Sequence, residues 1–228
     1  MSVSSKIKQR LTDAEHRHWA GDNISEYIMD GEHEELIVEL TEKFEDVLSS
    51  LVIDIDNDPN SYGTGKRLAK MYVKELMSGR YYPAPSATAF PNNGGDPFKG
   101  MLVVRSEIKS MCSHHHQPVT GVVYIGILPE DKVIGLSKYT RIAQWCARRG
   151  TLQEELANDI ARELEKATET KHLAVYIQAE HGCCTNRGIM AHSSLTQTTV
   201  LKGNFFEKAS VKEEFFDNIK MQQAHAPR

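Results

Sequence analysis

Four of the ten histidines and three of the four cysteines fall in two short stretches, Cys112-Ser113-His114-His115-His116 and His181-Gly182-Cys183-Cys184. Each stretch follows an apolar, β-branched run, so each is expected at a strand end. Thiolate sulfur and imidazole nitrogen are the donors that a tetrahedral Zn²⁺ takes, and a catalytic zinc uses three protein ligands and keeps one position for water. Cys112, one histidine of 114–116, and Cys183 or Cys184 would make such a Cys₂His site. The remaining histidines would lie within reach of the bound water, whose pKa zinc lowers to ~7. Two alternatives stand beside this reading. Cys184 or His116 could close the site as a fourth, structural ligand, or the cysteines could be small buried apolar residues with no metal at all.

Other polar residues suit an anion or a base. Ser137-Lys138 follows Gly135-Leu136 at an expected helix start, where backbone N–H groups, a hydroxyl and an ammonium together suit phosphate. Arg67, Arg141 and Arg187 are further single cations near element ends. Each of these, read alone, is an ordinary solvated surface residue. Gln153-Glu154 offers a carboxylate able to accept from two adjacent N–H donors, as on the guanine edge. Thr151-x-x-Glu154 also matches a capping box, in which Glu154 would accept from the Thr151 N–H. On the residues alone the cap is favoured.

The elements that must position these residues follow from periodicity. Residues 1–33 are polar, with no sustained apolar period, and are expected to form a partly mobile arm or a late-docking short helix. Leu36, Ile37, Leu40, Phe44, Val47, Leu48 and Leu51 recur at helical spacing. DIDNDPNSYGTG (54–65) is loop chemistry, and Leu68, Met71, Tyr72, Leu76 and Met77 mark a second helix. Residues 79–100 hold four of the eight prolines and are expected to be a long loop. Strands are predicted at 101–108, 121–128 and 132–135, and helices over 137–150 and from Thr151, the latter with Leu152, Leu156, Ile160 and Leu164 inward. Strands at 172–181 and 194–203 flank a turn at 181–188. Helices, then hairpin-like strands, two helices and two strands describe an α+β fold with an antiparallel sheet.

The composition of the 228 residues, 40% apolar and 25% charged, suits one soluble domain, or one with a flexible arm. A formal net charge of −4 gives no bulk attraction to nucleic acid or anionic lipid, so any anion site must be local. No apolar stretch approaches the ~20 residues of a membrane span, and the first residues lack the apolar core of a secretory signal. Four cysteines are too few for a disulfide scaffold, and a reducing, cytoplasmic location is expected.

Taken together, SMCSHHHQP (110–118), GLSKYTRIAQWCARR (135–149), LQEELANDIA (152–161) and EHGCCTNRG (180–188), with TGKRLAKMY (64–72), resemble the GTP cyclohydrolase I family, from about Glu34 to Phe206. The resemblance implies a tunnelling fold (T-fold): a core over about 100–206 behind N-terminal helices at 34–78, within a domain spanning 34–228. Its antiparallel sheet would carry helices on the outer face and join other subunits in a barrel. It implies a homodecamer with active sites between subunits, one Zn²⁺ per subunit, and no nucleic-acid or membrane partner. The implied reaction converts GTP and water to 7,8-dihydroneopterin triphosphate and formate, a product for folate, pterin or 7-deazaguanine synthesis.

By the same resemblance, Cys112, His115 and Cys183 match zinc ligands. His114 and His181 match proton-transferring histidines, with Ser137 a further proton carrier. Ser137, Lys138, Arg141, Arg187 and Arg67 match positions that hold the triphosphate, and Glu154, with Gln153 beside it, matches the carboxylate that reads guanine. The chain departs from the family pattern at Ser113, where Glu is usual, and at His116, Cys184 and Gly65. None of these removes a ligand, so activity is expected; the alternative is a non-catalytic zinc- and nucleotide-binding relative.

Overall fold

The computed structural model describes residues 1–93 and 96–225. Gly94 and Gly95 of the expected 79–100 loop, and residues 226–228 of the expected 34–228 domain, lie outside the described residues. The chain forms two units, Met1–Pro83 with Arg148–Gly150, and Ala84–Ala147 with Thr151 onward.

The first unit is helical. Helix α1 (Val3–Asp13) starts at Ser2, whose hydroxyl accepts from the Ser5 N–H, the usual stabilising N-cap. A short 3₁₀ turn (Ser25–Tyr27) leads to α2 (Glu32–Ser50), whose first turn carries Glu32, Glu34 and Glu35 toward the positive helix end. Helix α3 (Thr64–Met71) runs into a π-wound turn (Tyr72–Leu76) and the four-residue α4 (Ser78–Tyr81). Val3, Ile7, Leu11 and Ile24 are buried in one core with Leu36, Ile37, Ala69 and Val73. Residues 1–33 are therefore not a separate arm, and the expected boundary after residue 33 falls inside a core. The inward stripe of α1 is only three residues long at i, i+4 spacing, too short to stand out as a period. The far end of the α2 stripe is uncovered, with Val47, Leu51 and the following Val52 exposed.

The second unit is built on a four-stranded antiparallel sheet in the order β2-β3-β5-β6: β2 (Leu102–Met111), β3 (Pro118–Ile127), β5 (Leu173–His181) and β6 (Thr196–Leu201). A second pair joins β1 (Ala89–Pro91) to β4 (Lys132–Ile134), so the expected 79–100 loop contains a strand. Helices α5 (Leu136–Ala147) and α6 (Gln153–Thr168) lie on one sheet face. There Tyr139, Ile142, Leu156, Ile160 and Leu164 pack on Val123, Ile125, Val175 and Ile177. After β5 come α7 (Gly182–Thr185), then β6, α8 (Asn204–Glu207) and α9 (Ala209–His225).

Phe205, Phe215 and Ile219 from these last two helices cover Tyr124, Ala174 and Tyr176 on the opposite face. Helices thus flank both faces, whereas helices on one outer face were expected. Only a few inward apolar residues betray α9 in the sequence. Gly126 makes the contact possible, since a Cβ there would stand 2.7 Å from Phe215 Cδ2.

Candidate active site

The β2–β3 hairpin closes on the pair Met111↔Pro118, leaving Cys112–Gln117 as its loop. The Cys112 N–H donates to the Gln117 carbonyl at 2.9 Å, and the His116 N–H to the Cys112 carbonyl at 2.9 Å. This tight turn puts His116 at φ +51° and carries His115 back over Cys112. From the other side, β5 pairs with β3 through Val119↔His181, which sets the end of β5 beside the hairpin mouth. Helix α7 follows at once. Its Gly182 has Pro118 atoms 3.0 Å from where a Cβ would stand, so a larger residue would have to push Pro118 aside by a few tenths of an ångström.

Cys183 is thereby delivered to Cys112: the ligand atoms of Cys112, His115 and Cys183 all lie within 4.8 Å of one another. Zinc bonds of ~2.3 Å to sulfur and ~2.0 Å to nitrogen place tetrahedral ligand atoms roughly 3.5 Å apart, so small side-chain movements suffice to grip an ion. Two thiols and one imidazole fit that metal and leave a position open. Of the three neighbouring histidines, His115 is the one in this group, and of the two adjacent cysteines, Cys183. The Cys184 sulfur lies 3.9 Å from that of Cys183. Burial, with the Cys184 and Cys112 thiols beside it, pushes the Cys183 thiol up to about 11. Binding a cation at these sulfurs must therefore expel protons.

His181 is half-buried at the end of β5, its Nε2 2.7 Å from Gln153 Oε1. Burial lowers its pKa below the ordinary 6.5, and the Glu154 carboxylate works against that shift. Gln153 and Glu154 open α6, Gln153 buried and Glu154 exposed. His114 is exposed at the hairpin tip, its ring 6.4 Å from that of His115.

The expected cations come from separate elements. Ser137 and Lys138 lie in the first turn of α5, with Arg141 exposed one turn on. Lys138 Nζ donates to the Ser86 carbonyl at 2.5 Å. Arg187 is exposed just after α7. Arg67 belongs to the first unit, where its guanidinium donates to Thr64 Oγ1 at 2.8 Å.

A model of the family described as GTP cyclohydrolase I matches residues 40–220. The chain belongs to the GTP cyclohydrolase I family. Curated relatives are each named GTP cyclohydrolase 1. The protein of Flavobacterium johnsoniae is 38% identical over 82% of this chain and 83% of its own. That of Shewanella denitrificans is 35% identical over 82% and 86%, and that of Buchnera aphidicola 37% identical over 83% and 85%.

In this GTP cyclohydrolase I chain the capping box expected at Thr151 and Glu154 is not made. Leu152 is the N-cap residue without a side-chain bond, and Thr151 Oγ1 instead donates to Glu155 Oε2 at 2.8 Å. The bend into α6 starts one residue later than the box requires, which leaves Glu154 out of any cap. The partnership of Gln153 with His181 was missed. It joins residues remote in sequence, and its one outward sign is a polar residue at a buried helix position.

Proposed function

We propose that this GTP cyclohydrolase I converts GTP and water to 7,8-dihydroneopterin triphosphate and formate. The observation that carries the reading is the convergence of Cys112, His115 and Cys183 at the sheet end that also holds His181. A zinc ion in that group would act as a Lewis acid and lower the pKa of a bound water to ~7. The protein's own groups account for the rest. Glu154 accepts from the guanine N–H donors and sets the purine in place. Ser137, Lys138, Arg141, Arg187 and Arg67 offset the triphosphate charge, which lets an acidic chain hold a polyanion. As water adds at C8, negative charge grows on the imidazole nitrogen of the purine, and His114 meets it with a proton. The ring C–N bond breaks to a formamide, and a second hydrolysis releases formate. The opened ribose then rearranges and closes on the freed amine, with Ser137 and His181 carrying protons. Folate, pterin or 7-deazaguanine synthesis can use such a product.

The same reading extends to assembly. Among the described residues, strands β2 and β6 each pair on one side only, and an open edge invites another strand. Together with the uncovered Val47, Leu51 and Val52, this supports a T-fold barrel of joined sheets, a homodecamer with active sites between subunits. No described helix is long and apolar enough to cross a membrane. Four free cysteines suit the reducing cytoplasm we assign.

Incubation of the zinc-loaded protein with GTP tests the function. Formate release, with pterin fluorescence after oxidation, is the expected result. A fully zinc-loaded, intact assembly that makes neither would identify a non-catalytic nucleotide-binding relative instead.

A further inference from the structure

We propose that Gln153 is a positioning residue that holds His181 in one tautomer, with Nε2 as the fixed donor and Nδ1 as the nitrogen that exchanges protons. This rests on the reading of His181 as a proton carrier. Gln153 is 3% exposed, and its amide orientation is set by what surrounds it. Its Nε2 lies 3.0 Å from Thr198 Oγ1, 3.3 Å from the Thr196 carbonyl and 3.4 Å from the Ile177 carbonyl. The flipped amide would turn its oxygen against two carbonyl oxygens, so Oε1 must be the atom 2.7 Å from His181 Nε2. A carbonyl oxygen only accepts. His181 Nε2 therefore carries the hydrogen, and the lone pair of the neutral ring sits on Nδ1, which has no hydrogen-bond partner among the described residues. The second nitrogen of a functional imidazole commonly sets its role in this way. The arrangement also separates the two residues that open α6. Glu154 is exposed and available to a base, whereas the Gln153 amide hydrogens and oxygen are already engaged within the protein.

The test uses full-length, zinc-loaded protein labelled with ¹⁵N at histidine. Magic-angle-spinning spectra are assigned for His181 by the signals lost in His181→Ala. In the wild type, Nε2 should be the protonated nitrogen. Gln153→Met keeps length but removes the acceptor. It should mix the tautomers and lower kcat about ten- to hundred-fold, the scale of loss that removing a hydrogen-bond partner causes at a metal-bound imidazole. The KM for GTP and the zinc content should change little. Thr198→Val loosens the amide without touching His181 and should give a smaller loss of the same kind; it also serves as the test if Gln153→Met does not fold. A protonated Nδ1 in the wild type, or a raised KM with kcat unchanged in Gln153→Met, would overturn the proposal, the latter assigning Gln153 to substrate. If His181→Ala turns over like the wild type, the reading of His181 as a proton carrier falls, and the purpose given to Gln153 falls with it. If His181→Ala is inactive while Gln153→Met keeps both tautomer and kcat, the proposal alone falls.

Discussion

Cys112 and Cys183 come from segments remote in sequence, and replacing either with alanine should abolish zinc binding and turnover together. Cys184→Ala should keep both; metal analysis showing a zinc-free Cys184→Ala protein would mean that Cys184, not Cys183, is the ligand. His114→Ala should keep zinc and fold while turnover falls by roughly 10²–10⁴-fold, the usual contribution of a general acid–base group. Glu154→Ala should weaken GTP binding and leave the melting temperature almost unmoved, because the α6 start has no side-chain cap to lose. A large thermal shift with normal GTP affinity would return Glu154 to a structural role. At this scale the sequence was a good guide to chemistry and a poor one to pairing. Residue type and spacing were enough to single out the thiol and imidazole clusters. The member of the histidine run that turns toward the sulfurs depends on a backbone turn at His116, which composition does not encode. The capping motif misled because it matches a local pattern that the backbone, entering α6 one residue later, does not follow.

Most helices and strands of the core were legible, since Leu156, Ile160 and Leu164 on α6 are buried as their period says they should be. The first and last helices were not, because each shows the core only a few side chains. Those few carry much of the packing. Phe215 is fully buried, and Phe215→Ala should cost about 3–5 kcal/mol in chemical denaturation. Helix α1 is tied to α2 by the ion pair between Arg10 and Glu32, whose carboxylate also accepts from the Met29 N–H at 2.9 Å. The Arg10 hydrogen bond leads in holding the Glu32 pKa below its ordinary 4.5, with burial opposing it. A lowered folded pKa means that the stabilisation is complete above the ordinary value and is lost as pH falls through the folded one. Acid titration followed by circular dichroism should show the helical unit loosening below about pH 4.5. Glu32→Gln should lower stability at neutral pH and flatten that acid limb.

For the molecule as a whole, light scattering should find one species at ten times the chain mass. A monomer with full turnover would be incompatible with shared active sites. The sequence alone carried no physical sign of such assembly; the open edges of β2 and β6 become visible only when the strand order is known. The order and pairing of the strands have one more consequence. His115 and the two sulfurs meet because Met111 faces Pro118 and Val119 faces His181. A slip of one residue along β5 would turn every side chain to the opposite face and draw Cys183 away from the hairpin. Zinc stoichiometry is thus a census of correctly threaded sheets: a misregistered chain, however compact, goes uncounted.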